Sequence, residues 1–61
     1  MTPIYVTAEG CETYRCSLLS FCRANEGFYI ADVAHALKKG DGATMYGGGA
    51  MPLFRVSLTK P

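Results

Sequence analysis

Three consecutive glycines followed by a proline, in Tyr46-Gly47-Gly48-Gly49-Ala50-Met51-Pro52-Leu53-Phe54, cannot lie inside a helix or a central strand at tolerable cost. This stretch must be a turn or loop. On its far side Phe54, Val56 and Leu58 alternate with Arg55, Ser57 and Thr59, the period of two of a half-buried strand. On its near side Ala43-Thr44-Met45-Tyr46 is short and compatible with a strand. The pattern predicts a hairpin closed by a glycine loop, with the upstream chain packed on one face of it.

With 61 residues the chain is expected to be a single domain. A chain of this size buries only about 60% of the surface that its unfolded form exposes, which leaves little room for a deep substrate cleft. Hydrophobic residues make up 49% and charged residues 18%, a balance that argues for a folded chain with apolar surface to spare for a partner. Six Lys and Arg against five Asp and Glu give a net charge of +1, so no strong field draws the chain to phosphate backbones or anionic lipid. The apolar runs are far shorter than the ~20 residues needed to span a bilayer. The beginning Met1-Thr2-Pro3-Ile4 lacks the basic and apolar regions of a signal peptide, so the expectation is a cytoplasmic protein with no membrane partner. The three cysteines form no even set for a disulfide framework and no Cys-x-x-Cys knuckle for zinc, so no metal or cofactor is expected.

Ile4-Tyr5-Val6-Thr7 reads as a first strand, with Pro3 acceptable at its start. Thr7 could then cap a helix with Glu9 in its first turn. Between Cys11 and Asn25, the residues Cys11, Tyr14, Leu18, Phe21 and Cys22 recur at helical spacing and predict an amphipathic helix. The alternative is a hairpin turning at Glu9-Gly10, with Cys11 to Arg15 as a second strand. Gly27 is placed to end the helix. A second helix is predicted over 29–39, with Ile30, Val33, Ala34 and Leu37 as its apolar stripe, Asp32 near its start and Lys38 and Lys39 near its end. Gly40 stops it, and Asp41-Gly42 turns the chain into the next strand.

These elements give an α+β fold of order β-α-α-β-β, a two-layer domain with two helices on one face of a small, largely antiparallel three-stranded sheet. The helix-covered face is expected to carry Ile4, Val6, Met45, Phe54, Val56 and Leu58. The other face is expected to carry Tyr5, Thr7, Thr44, Tyr46, Leu53, Arg55, Ser57 and Thr59, with no element left to cover it.

That open face is the first candidate site, because tyrosine and arginine dominate binding hot spots when they cluster. Tyr5, Tyr46, Met51, Leu53 and Arg55 are the expected partner-binding residues, Met51 standing at the tip of the glycine loop. An ordinary solvated strand face has a similar composition. The glycines invite a phosphate-loop reading but fail its context, since Met51-Pro52 leads to a strand rather than a Lys-Ser or Lys-Thr at a helix start. His35 is the only histidine, and with Asp32 three residues away it forms an exposed pair without a nucleophile. Cys16 is expected on the outer face of the first helix, and Cys11 and Cys22 on its inner stripe about 16 Å apart, too far to bond. Helix-turn-helix binding of DNA lacks base-reading side chains on the second helix, and a minimal KH module lacks its Gly-x-x-Gly loop.

The expectation is a small non-catalytic protein-binding module that inhibits or modulates a larger protein or protein complex. Its size is that of accessory proteins from phages and mobile elements, including anti-defence inhibitors of the anti-CRISPR type. The near-neutral charge argues against mimicry of DNA and for occlusion of a protein surface. The competing class is a small nucleic-acid-binding regulator, winged-helix-like or stacking single strands on Tyr5 and Tyr46. Homodimerisation through the free sheet face or a strand edge is compatible with either.

Overall fold

In the computed structural model, which describes residues 3–60, the first strand β1 (Pro3–Ala8) sends Ile4 and Val6 inward to full burial, as its alternation requires. Glu9 and Gly10 then reverse the chain. The Cys11 N–H donates to the Ala8 carbonyl at 3.0 Å, and Gly10 holds φ +78 at the third position of this turn, which excludes most side chains. The second strand β2 (Tyr14–Ser17) pairs antiparallel with β1, so the hairpin alternative holds and the helix predicted over 11–25 is shortened to α1 (Leu18–Ala24). Its N-cap is Ser17, not Thr7. The Ser17 hydroxyl accepts from the Ser20 N–H at 3.1 Å, satisfying one of the orphan amides of the first turn. Thr7 stays in β1, its hydroxyl 2.7 Å from that of Thr13.

Asn25 closes α1 by donating its side-chain amide to the Phe21 carbonyl at 2.8 Å. Gly27, at φ +92, belongs to the tight turn after it, where the Phe28 N–H reaches the Asn25 carbonyl. The second helix α2 (Ile30–Lys39) lies close to its predicted span, but only Val33 and Leu37 of its expected stripe are buried; Ile30 and Ala34 are exposed. The end of α2 is a Schellman arrangement, with Gly42 N–H donating to the Leu37 carbonyl at 2.7 Å and Asp41 N–H to that of Lys38 at 3.4 Å. The left-handed position between them is taken by Asp41, at φ +56.

The predicted hairpin consists of β3 (Ala43–Gly48) and β4 (Met51–Ser57), with Gly49 and Ala50 as its two-residue loop. Gly49 is at φ +63, the first central position that a type II′ hairpin turn gives to glycine. Tyr46 opposes Phe54 and Gly48 opposes Met51, so β4 carries one extra residue and Pro52 sits in a bulge, where its missing N–H breaks no ladder bond. The sheet has four strands in the order β2-β1-β4-β3, all antiparallel, and the element order is β-β-α-α-β-β rather than β-α-α-β-β.

Both helices cover one face of this sheet, and the core between the layers is Ile4, Val6, Phe21, Val33, Leu37 and Val56. Around it Phe21, Phe28, Tyr46 and Phe54 make an aromatic cluster with ring centroids 5.0 to 6.1 Å apart, Phe28 standing edge-on to Tyr46. No helix among the described residues is long and apolar enough to cross a membrane.

Candidate functional site

Pairing register decides which side chains share the face away from the helices. Arg15 opposes Tyr5, Tyr5 opposes Ser57, and Ser57 opposes Ala43; the next row runs Thr7, Arg55, Met45. With side chains alternating along each strand, these residues and Leu53 form one surface that no other described element covers. Ser57 is buried in its middle, its hydroxyl accepting the Thr59 N–H at 3.1 Å. Met45 and Leu53 are 51% and 43% exposed, while Tyr5 and Arg55, diagonal neighbours, are half-buried. The surface thus has an apolar part and two arginines, with one carboxylate at its margin: Glu9, next in the alternation after Tyr5 and Thr7, donates its N–H to the Leu53 carbonyl at 3.0 Å.

Three of the predicted partner-binding residues, Tyr5, Leu53 and Arg55, share this face. Tyr46 does not. It opposes Phe54 on the helix side and fills the aromatic cluster, while Met45, expected in the core, takes the open face. Thr44 moves to the helix side with Tyr46. Leu58 and Thr59 lie beyond the last paired residue of β4, and Leu58 is exposed. The whole expected assignment of β3 is therefore displaced by one residue, which exchanges its two faces. Burial pushes the Tyr46 phenol above its ordinary pKa, opposed by a hydrogen bond with Thr44 and reinforced by the charges of Cys22 and Asp32.

Met51 stands at the hairpin end, 53% exposed, and with Pro52 borders an apolar hollow of about 250 Å³ on the helix side, floored by Val6, Phe21 and Phe54. Tyr14 rims it, half-exposed, its pKa raised by desolvation and then by Cys16. Sequence periodicity misses this hollow, because it places Tyr14 on a helix, whereas Tyr14 begins β2.

Cys16 lies in β2 opposite Ile4, packed against the core rather than on an outer helix face. Cys22 packs there too, and burial pushes both thiols up, away from the reactive thiolate. Cys11 is exposed in the turn before β2, not on a helical stripe. His35 and Asp32 are exposed on α2. No group of three His, Cys, Asp or Glu among the described residues is arranged to hold a metal ion. No protein-family model, curated protein or solved structure matches the chain.

Proposed function

We propose that the chain is a non-catalytic protein-binding module that docks the open sheet face on a larger protein assembly and inhibits or modulates it by occlusion. The observation that carries this reading is the composition of that face: Met45 and Leu53 exposed beside Arg55, with Tyr5 and Arg15 in the adjoining row and Glu9 at the margin next to Leu53. Its complement is an apolar protein patch bordered by Asp or Glu. In size the chain fits the accessory proteins of phages and mobile elements, anti-CRISPR inhibitors among them, that act inside a host cytoplasm.

Two arginines beside a tyrosine also suit single-stranded nucleic acid, which is the second reading. It is weaker because stacking needs a platform of several rings, and Tyr46 lies within the aromatic cluster. The test is affinity capture from the native host by the wild-type chain and by Leu53→Asp, with and without nuclease. The proposal expects a protein held by the wild type, lost with Leu53→Asp, retained after nuclease and only weakly sensitive to salt. Capture that disappears with nuclease, or that falls steeply as salt rises, refutes it in favour of nucleic acid.

A further inference from the structure

The sheet ends on β3, a six-residue edge strand, Ala-Thr-Met-Tyr-Gly-Gly, with no charge and no proline. Edge strands left this bare are uncommon, since a row of free amides and carbonyls templates a further strand. The opposite edge, β2, is four residues long and carries Arg15. Hydrogen bonding identifies which groups of β3 face outward. Leu58 N–H donates to the Gly42 carbonyl at 2.7 Å, and alternation along the ladder then makes Thr44 and Tyr46 the residues bonded to β4. Ala43 N–H accordingly turns back to the Gly40 carbonyl at 3.4 Å, and the N–H and C=O of Met45 point away from the sheet.

We infer that the β3 edge pairs antiparallel with the β3 edge of a second copy of this chain, with Met45 opposite Met45 on the two-fold axis. In this register the two Met45 residues exchange both backbone hydrogen bonds, and each Thr44 meets the other copy's Tyr46 on the helix side, an aromatic pair with a β-branched partner. A register offset by one residue would place the helices of the two copies on opposite faces.

Charge on α2 selects the same axis independently. Tyr29, Asp32, Ala36 and Lys39 recur at spacings of three, four and three, a stripe on the flank of α2 away from Ala34, which faces Leu18 and Leu58. Phe28, two residues before α2, packs edge-on to Tyr46 with centroids 5.0 Å apart, so the start of α2 lies near Tyr46, while Gly40, at its end, adjoins Ala43. Eight residues of helix rise about 12 Å and three of strand about 10 Å, so the midpoint of α2 lies level with Met45. A two-fold axis there sets Asp32 of each copy toward Lys39 of the other. The pairing leaves the open faces free and side by side, and it does not rest on the function proposed above.

An edge contact of this kind is small, in the class of transient interfaces. Sedimentation of the full chain from about 1 μM to about 1 mM is expected to show a reversible shift from the 6.6 kDa monomer to a dimer. Met45→Lys, which places two ammonium groups on the axis, is expected to weaken the dimer roughly tenfold or more. Asp32→Lys and Lys39→Asp are each expected to weaken it, and the double exchange to restore it, a rescue that a folding defect cannot produce. A monomer at every concentration, a dimer indifferent to Met45→Lys in a chain with wild-type circular dichroism, or single charge changes that the double exchange does not rescue would each overturn the inference.

Discussion

Gly47 is the residue on which the hairpin register depends, and Gly47→Ala isolates its contribution. Two costs arise. At φ +91 any side chain is strained, by about 1–2 kcal/mol. In addition, the new methyl would press into the Pro52 carbonyl oxygen, 3.0 Å from its carbon and 3.2 Å from Leu53 Cα, all main-chain atoms that no rotamer change can move. Relieving the overlap requires the bulge to open, at the roughly 1–3 kcal/mol typical of overpacking. Alanine returns only about 0.4–1 kcal/mol by restricting the unfolded chain. The net loss is about 1–5 kcal/mol, a large part of the total for a domain holding some 0.05–0.15 kcal/mol per residue. Gly48→Ala is the matched control, because it shares the left-handed backbone (φ +95) but meets nothing within 4 Å. Urea titrations followed by circular dichroism should therefore rank wild type above Gly48→Ala, and Gly48→Ala above Gly47→Ala by at least about 1 kcal/mol. Equal losses in the two variants would show that backbone strain acts alone, and the account of the bulge would be refuted.

Asp41→Gly should stabilise the chain by up to about 1 kcal/mol, since it removes a Cβ from the left-handed position of the Schellman motif; a lower midpoint in urea would contradict this. Tyr46→Ala should cost about 3 kcal/mol by emptying the aromatic cluster, whereas Tyr46→Phe should cost well under half of that, as thermal melts of the pair will show. Stability should fall as pH rises through the thiol and phenol range, above about pH 8.5. Cys16, Cys22, Tyr14 and Tyr46 all have folded pKa values raised by burial, so the native state resists losing protons that the unfolded chain gives up. Stability that rises between about pH 8.5 and 10.5 in the same melts, a window that contains the ordinary thiol and phenol values of 9.0 and 10.0, would contradict this.

The hairpin, the two-layer arrangement and the second helix were legible because each rests on a local rule: a glycine-rich stretch must hold a turn, Phe54 and Val56 must alternate with polar neighbours, and Val33 and Leu37 lie one helical turn apart; the loop itself is shorter than expected, since Gly47, Gly48, Met51 and Pro52 are strand residues and only Gly49 and Ala50 turn. The segment from Cys11 to Cys22 misled for a physical reason. Its apolar residues fit a single helical stripe, but they are contributed by three elements, with Cys11 in a turn, Tyr14 in a strand and Leu18, Phe21 and Cys22 in a helix. A four-residue strand offers two alternations at most, too few to outweigh five residues at helical spacing. The signals that resolve it are Gly10 behind Glu9, a turn in its own right, and Ser17 three residues before Ser20, an N-cap placed where the helix starts.

The face of β3 was a harder matter, and it decided the candidate site. Met45 and Tyr46 are adjacent and both can enter a core, so one of them must be exposed, and composition does not say which. The parity of β4 gives no help, because the extra residue at the Pro52 bulge breaks the count between the two strands. What selects Tyr46 is a partner outside the sheet. Phe28, from the connection between the helices, presents its ring edge to Tyr46 with centroids 5.0 Å apart, and Phe54 packs beside it at 5.6 Å. A flexible Met45 left outside sacrifices less than a tyrosine removed from two phenylalanines. The same choice sets the composition of the open face: with Tyr46 inside, Met45 and Leu53 supply its exposed apolar area and Arg15 and Arg55 its positive charge, and the docking proposed above depends on that exchange.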